Sequence, residues 1–321
     1  MGPVTVLERP VIVSLIERRV TRCGLWHTAP SLIEFAGSAA EVSVMATIVV
    51  GSAEQAAGAT TVAVGLAHRL AYTGHNVRLE RLAGGDRAAA DAALFATLDF
   101  ATSSGTPINE VSDAGDGVTV IDASTAGASA AQGAGRRLLM VTAAGAGGSG
   151  DTVLSNHADA AAALSLPEDR LLAAPTVEIL IEASGAEVLA RSVEGESVLC
   201  EHIVVGPIFE DSDEPHFDRF ARKAIVTRAE KVDIALAALM SDPRCLILTG
   251  GHDPSPYLLD RVAAGRTTTL LLAPDDTATT VHSIEGTFGA AAFSGEEKVE
   301  RIGELMAEAI DDATIDALLA G

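Results

Sequence analysis

An α/β protein of two lobes is predicted, each built on a mainly parallel sheet with helices on its faces. Three observations predict it. From residue 45 onward, short apolar runs alternate with segments of helical period. Glycine, threonine, proline and aspartate cluster directly after several of the apolar runs. The chain has 321 residues, a length that suits about two domains, and a polar stretch over residues 194–201 divides it.

The elements follow in order. Residues 46–50 are a short apolar run closed by Gly51, and residues 60–72 carry apolar positions at helical spacing and stop near Gly74. This strand, loop and helix begin the first lobe. Residues 76–82 read as a strand, 87–98 as a helix, and 118–122 and 137–142 as buried strands. Strands alternating with helices in this way imply a parallel sheet. Residues 143–150 (AAGAGGSG) are nearly all small and read as a flexible loop inside the lobe, because structure signals resume on both sides. In the second lobe, 202–208, 224–226, 245–248 and 268–273 are strand-like, and 230–240 and 256–264 are helical. The acidic run 210–214 (EDSDE) reads as a solvated loop. The expected domains are residues 45–195 and 196–312.

The first 44 residues stand apart. Their four arginines and four glutamates balance, so the whole net charge lies after them. They also hold the only tryptophan, Trp26, while the first predicted strand follows Met45 at once. Met45 is therefore the expected true start of the protein, with residues 1–44 a leader outside the core or a mis-called start; the alternative is an arm that packs on a partner.

Charge excludes one class of function. The chain carries 44 acidic and 22 basic residues, a net charge of −22, and a nucleic-acid backbone would repel it. No apolar stretch approaches the roughly 18 residues that a membrane span needs. Cys23, Cys200 and Cys245 are far apart in sequence, which suits neither a disulfide framework nor a metal site and fits a reducing cytoplasm. Only Lys223, Lys231 and Lys298 are lysines, and all other basic residues are arginine. An acid-rich, lysine-poor, alanine-rich composition predicts adaptation to concentrated salt.

Two motifs follow strands. The first, GSAEQAAGATT at 51–61, lies between a strand and a helix, where backbone N–H groups attract phosphate. A working phosphate loop of this type ends in Gly-Lys-Ser/Thr, and here Gly58, Ala59 and Thr60 occupy those places, with Ser52 at the start of the loop. Without the lysine, phosphoryl transfer loses its side-chain cation, so nucleotide hydrolysis is not expected. The loop either holds an anion weakly or is a turn kept for packing. Asp122, at the end of the 118–122 strand, has the position of a magnesium-supporting acid.

The second motif joins CLILTGGHDPSP at 245–256 with LLLAPDDTATT at 270–280. Thr249, Gly250, Gly251, Asp276 and Thr277 follow two buried strands, at the carboxyl edge where α/β sheets gather ligands. Asp276 is also a natural helix N-cap. His252 and Asp253 are adjacent with no nucleophile beside them, so no catalytic residue is assigned.

Residues 227–239 and 245–280 resemble the DRTGG domain, and residues 45 to about 190 resemble the dethiobiotin-synthetase-like P-loop domain that precedes it in the N-terminal half of long phosphotransacetylases. Thr249–Gly251 and the Pro-x-Asp-Thr of 274–277 match as written, while Ala229, Glu230, Lys231, Val232 and Asp233 keep the charge of the family's Gly-Asp-Arg-x-Asp but not its residues. The catalytic acyltransferase domain of that family is absent from these 321 residues, so the resemblance does not imply acetyl transfer. It implies a noncatalytic regulatory or interaction protein that senses a metabolite, an adenine nucleotide first, with Lys231 and Asp233 at the rim of the site or crossing to a second subunit. A homo-oligomer is expected, with no cofactor and no bound metal; the ligand is a nucleotide or an acyl metabolite. The alternative is an ATP-dependent ligase or phosphotransferase similar to dethiobiotin synthetase, with Arg81 or Arg87 replacing the lysine.

Screening shortens the range of repulsion between surface carboxylates to about 3 Å at 1 M salt. The melting temperature is therefore expected to rise as potassium chloride is raised from roughly 0.1 to 3 M. A melting curve unchanged across that range would rule out the salt-adapted reading.

Overall fold

The computed structural model describes residues 45–112, 117–143, 150–157, 164–207 and 216–320. The expected leader over 1–44, residues 144–149 of the small-residue loop and the acidic run 210–214 lie outside them.

The first lobe opens with β1 (Ala46–Ser52), α1 (Ala59–Tyr72), β2 (Val77–Arg81), α2 (Ala88–Phe95), β3 (Val118–Ser124), α3 (Gly127–Ala130) and β4 (Arg136–Ala143). Then follow β5 (Thr152–Asn156), β6 (Ser165–Leu166) and α4 (Arg170–Ala173). The six strands pair in the order β2-β3-β1-β4-β5-β6, all parallel. β1 is buried along its whole length, because the sheet is covered on both faces. That is why it reads as an unbroken apolar run with no alternation. Ile48 and Val50 pack with α1 in the larger core, while Val49 faces the other way, with Ala123 and Ala130.

The second lobe comprises α5 (Val177–Ser184), β7 (Glu187–Ala190), β8 (His202–Val205), β9 (Lys223–Arg228), α6 (Val232–Met240), β10 (Cys245–Thr249), α7 (Pro256–Gly265), β11 (Thr269–Leu272) and α8 (Thr277–Glu285). Its sheet runs β7-β11-β10-β9-β8, parallel except for β7. α6 and α7 cover one face through Ile234, Ala238, Leu258 and Val262. α5 and α8 cover the other through Val177, Leu180 and Ile284.

Both limits expected for the second domain shift. The boundary at 195/196 falls inside the lobe, since β7 pairs with β11 ahead of it; a half-buried strand with a polar flank carries little sequence signal. At the other end, α9 (Glu296–Ala309) and α10 (Asp312–Leu319) return to the first lobe. Ile302, Leu305, Met306 and Ile315 join its core.

α9 lies against α1, and two glycines permit the close approach. A Cβ on Gly65 would stand 2.7 Å from Ile302 Cγ1, and one on Gly303 would stand 2.6 Å from His68 Nδ1. Farther along, Arg69 Nε donates to Ile310 O at 3.3 Å. Residue numbers rise together on both helices, so they run parallel. Gly65→Val is expected to destabilise the fold by about 1–3 kcal/mol through overpacking, despite valine's better helix propensity than glycine's. Urea unfolding checks it, and an unchanged midpoint would mean that α9 is not clamped there.

Candidate functional site

The parallel sheets place two clusters of loops at carboxyl edges. In the second lobe, β10 is followed by α7 on one face and its neighbour β11 by α8 on the other. Loops that leave adjacent strands toward opposite faces open a crevice between them. Thr249 ends β10 and Thr277 begins α8, and their Oγ1 atoms lie 2.7 Å apart across this crevice. Thr249 Oγ1 also lies 3.3 Å from Thr227 O, to which it donates. Gly250 N donates to Asp275 O at 3.2 Å, tying the two loops by backbone as well.

Gly250 and Gly251 have φ of 91° and 67°, a conformation that suits glycine. A Cβ on Gly251 would meet no atom within 4 Å, so the backbone there faces open space. The loop is held in shape by His252 Nδ1, 2.9 Å from Gly250 O. Asp276 caps α8, accepting from Thr279 N at 2.8 Å. That bond holds its carboxyl below the ordinary carboxylate range.

Thr249, Gly250, Gly251, Asp276 and Thr277 thus come together. Lys231 and Asp233 begin α6, directly after Glu230, and their side chains form no hydrogen bond or ion pair among the described residues. Two residues not singled out in the sequence stand beside the glycines. Glu230 Oε2 lies 3.6 Å from the position of a Cβ on Gly250, and Arg228 pairs with Glu230 at 2.5 Å. Tyr257, 65% exposed in the first turn of α7, stands at the same edge of the sheet.

In the first lobe the same geometry arises between β1, which leads to α1, and its neighbour β3, which leads to α3 on the other face. Ser52 is the last residue of β1, and Gly58, at φ 90°, is the residue before α1. Thr60 Oγ1 donates to Asp122 Oδ2 at 2.7 Å. Asn156 Nδ2 donates to Ala57 O at 2.9 Å and pins the loop. Ala59, where the lysine would stand, is buried in the core.

Burial raises the Asp122 carboxyl above its ordinary value, against the opposing pull of Arg81. Arg81 is not free to replace the missing lysine. Its Nε lies 3.4 Å from both Asp91 Oδ2 and Asp122 Oδ2. Nη1 donates to Leu82 O and Asp122 O at 2.6 and 3.1 Å, and Nη2 to Gly84 O at 3.1 Å. Arg87 is exposed at the start of α2.

The family described as DRTGG domain matches residues 179–287. These residues form a DRTGG domain. The matched segment begins within α5 and takes in the whole second sheet, with the TGG and PDDT loops at its edge. A similar solved structure is that of the CBS and DRTGG domains of the regulatory region of Clostridium perfringens pyrophosphatase, complexed with the activator diadenosine tetraphosphate. It is 18% identical, over 46% of this chain and 70% of that one, with a TM-score of 0.33.

Cavities among the described residues lie elsewhere. One of about 650 Å³ opens at the amino edge of the DRTGG sheet, between Phe220, Lys223, Asp242 and Arg244. Lys223 Nζ is engaged there by Phe220 O and Ser241 O at 2.9 and 2.7 Å. Another, of about 450 Å³, is lined by Asp169, Arg222, Glu297 and Arg301. Burial pushes the Cys200 thiol up to about 12 and raises that of Cys245, so neither offers a thiolate near neutral pH.

The Asp276 cap gives a pH signature. Its folded-state pKa is depressed, so the stability it contributes is complete above the unfolded value of 3.8 and is lost as pH falls through the folded value. Asp276→Ala is expected to melt lower than wild type at neutral pH, with the gap closing in acid. A gap independent of pH, read by melting curves across the acid range, would remove the carboxylate from that role.

Proposed function

We propose that this chain is a noncatalytic regulatory or interaction protein that senses an adenine nucleotide through its DRTGG domain. The crevice between β10 and β11 carries the reading. It presents a hydroxyl pair, Thr249 and Thr277, beside the backbone of Gly251, which is open to solvent. Hydroxyls and backbone N–H groups of this kind suit phosphate oxygens, and the exposed Tyr257 ring at the same edge suits a stacked base. Each crevice component acts by binding alone. None is a nucleophile beside a base, so the site favours sensing over turnover.

The sequence resemblance adds a kinship with the regulatory half of long phosphotransacetylases. We assign the output of the sensor to self-association, with Lys231 and Asp233 at the contact. The ligase alternative is weakened by Arg81, whose donors are already committed to carboxylates and carbonyls.

ATP and AMP are expected to raise the melting temperature of the full chain and to shift its mass by light scattering. Gly251→Val fills the open space and should abolish both responses. Because valine is strained at the φ of 67°, Thr249→Val serves as a second variant. If both variants fold and respond like wild type, or if wild type responds to neither nucleotide, the sensing role fails.

A further inference from the structure

The lobe whose loop lacks its lysine buries a lysine from elsewhere in the chain. Lys298 lies in the first turn of α9 and is 1% exposed. Among the described residues it has no hydrogen-bond or ion-pair partner. In a chain with twice as many acidic as basic residues, an ammonium buried without a carboxylate is conspicuous, because burial of an uncompensated charge is costly.

Its direction follows from the packing of α9. Lys298 shares a helix face with Ile302 and Leu305, four and seven positions on, and that face is buried against the first lobe. Ile302 lies beside Gly65. One turn earlier on these parallel helices, Lys298 comes alongside residues 61 and 62, at the start of α1. Helical side chains lean toward their own N-terminus, which here carries the ammonium onward to the loop at 53–58.

Arg87 supports the placement. It begins α2, on the β2 side of α1, whereas α9 packs with β6 on the other side. Burial first, and then the positive charge of Arg87, pull the Lys298 amine down to about 8.

That helix end is open to an anion. α1 has no side-chain cap and no acidic residue in its first turn. Its first internal bond runs from Val62 N to Gly58 O, so the N–H groups of residues 59–61 have no acceptor within the helix. Asp122 does not cancel the ammonium, because Thr60 and Arg81 already engage its carboxylate.

We propose that the start of α1 and Lys298 form an oxyanion site for a phosphoryl group, with Lys298 supplying from α9 the cation that Ala59 cannot. The site belongs to the first lobe and is independent of the DRTGG crevice. No transfer step is assigned to it.

The test is calorimetric titration of the full chain, at fixed potassium chloride, with inorganic phosphate and separately with ATP. Wild type is expected to bind phosphate. Lys298→Met should weaken binding by about tenfold or more, and Lys298→Arg should retain it. A phosphate response alone identifies a free oxyanion as ligand, and a stronger response to ATP that Lys298→Met also weakens identifies a nucleotide. Absence of phosphate binding in wild type, or equal binding by Lys298→Met, overturns the proposal. Should Lys298→Met fail to fold, reductive methylation of wild type decides. Phosphate must slow labelling of Lys298 and not of Lys231, and equal labelling with and without phosphate overturns it.

Discussion

Parallel pairing is the constraint from which the rest of this molecule follows. Two parallel strands cannot be joined by a tight turn, so each connection must cross a face of the sheet and return to the starting edge. Every loop that leaves a strand for a helix is thereby delivered to one edge. Where two neighbouring strands send their helices to opposite faces, the loops part and leave a crevice. This happens in each lobe, between β1 and β3 and between β10 and β11. Both places coincide with glycine- and threonine-rich segments. Gly58 and Thr60 stand at one, Thr249 to Gly251 and Thr277 at the other.

The two edges differ in charge. At the DRTGG edge, hydroxyls, backbone and the Arg228–Glu230 pair stand with the carboxylates of Asp275 and Asp276, which belong to the loop bonded to Gly250. At the first edge, cations lie on both sides of α1. Arg81 is enclosed by two carboxylates and several carbonyls, an arrangement that satisfies its planar fork and fixes the end of β2. Lys298 has no such enclosure. A buried arginine with all its donors matched is a structural part; a buried lysine with none matched is a part awaiting a counter-charge.

Much of the strand and helix pattern was legible because it rested on local signals. The run at 46–50 became β1, and the helical spacing over 60–72 became α1, extended by one residue to Ala59. The joint position of Thr249 and Thr277 was legible too, since loops after adjacent parallel strands must converge. β7 was not: it is antiparallel and half-buried, so its four residues show neither an apolar run nor strict alternation. β6, with two residues, leaves no pattern at all. The second-domain limit at 312 failed for a different reason. The apolar stripe of α9 reveals which face is buried, but periodicity carries no information about the surface it meets.

That same limitation hid Lys298. It occupies a stripe position of α9, in phase with Ile302 and Leu305, and a lysine in phase with an apolar stripe is a visible anomaly in sequence. Its meaning depends on where the stripe docks. On a helix packed against the second lobe it would be a snorkelling side chain, its methylenes buried and its amine in water. Packed in parallel against α1, the same side chain is carried toward the loop that lost its cation at Ala59. The net charge of −22 sharpens the contrast. Several surface arginines here have carboxylates within reach, as Arg301 has Asp169 and Glu304, whereas Lys298, the more deeply buried of two buried lysines, has none among the described residues. In a protein whose excess is negative, an unmatched internal positive charge is what an incoming oxyanion would complete.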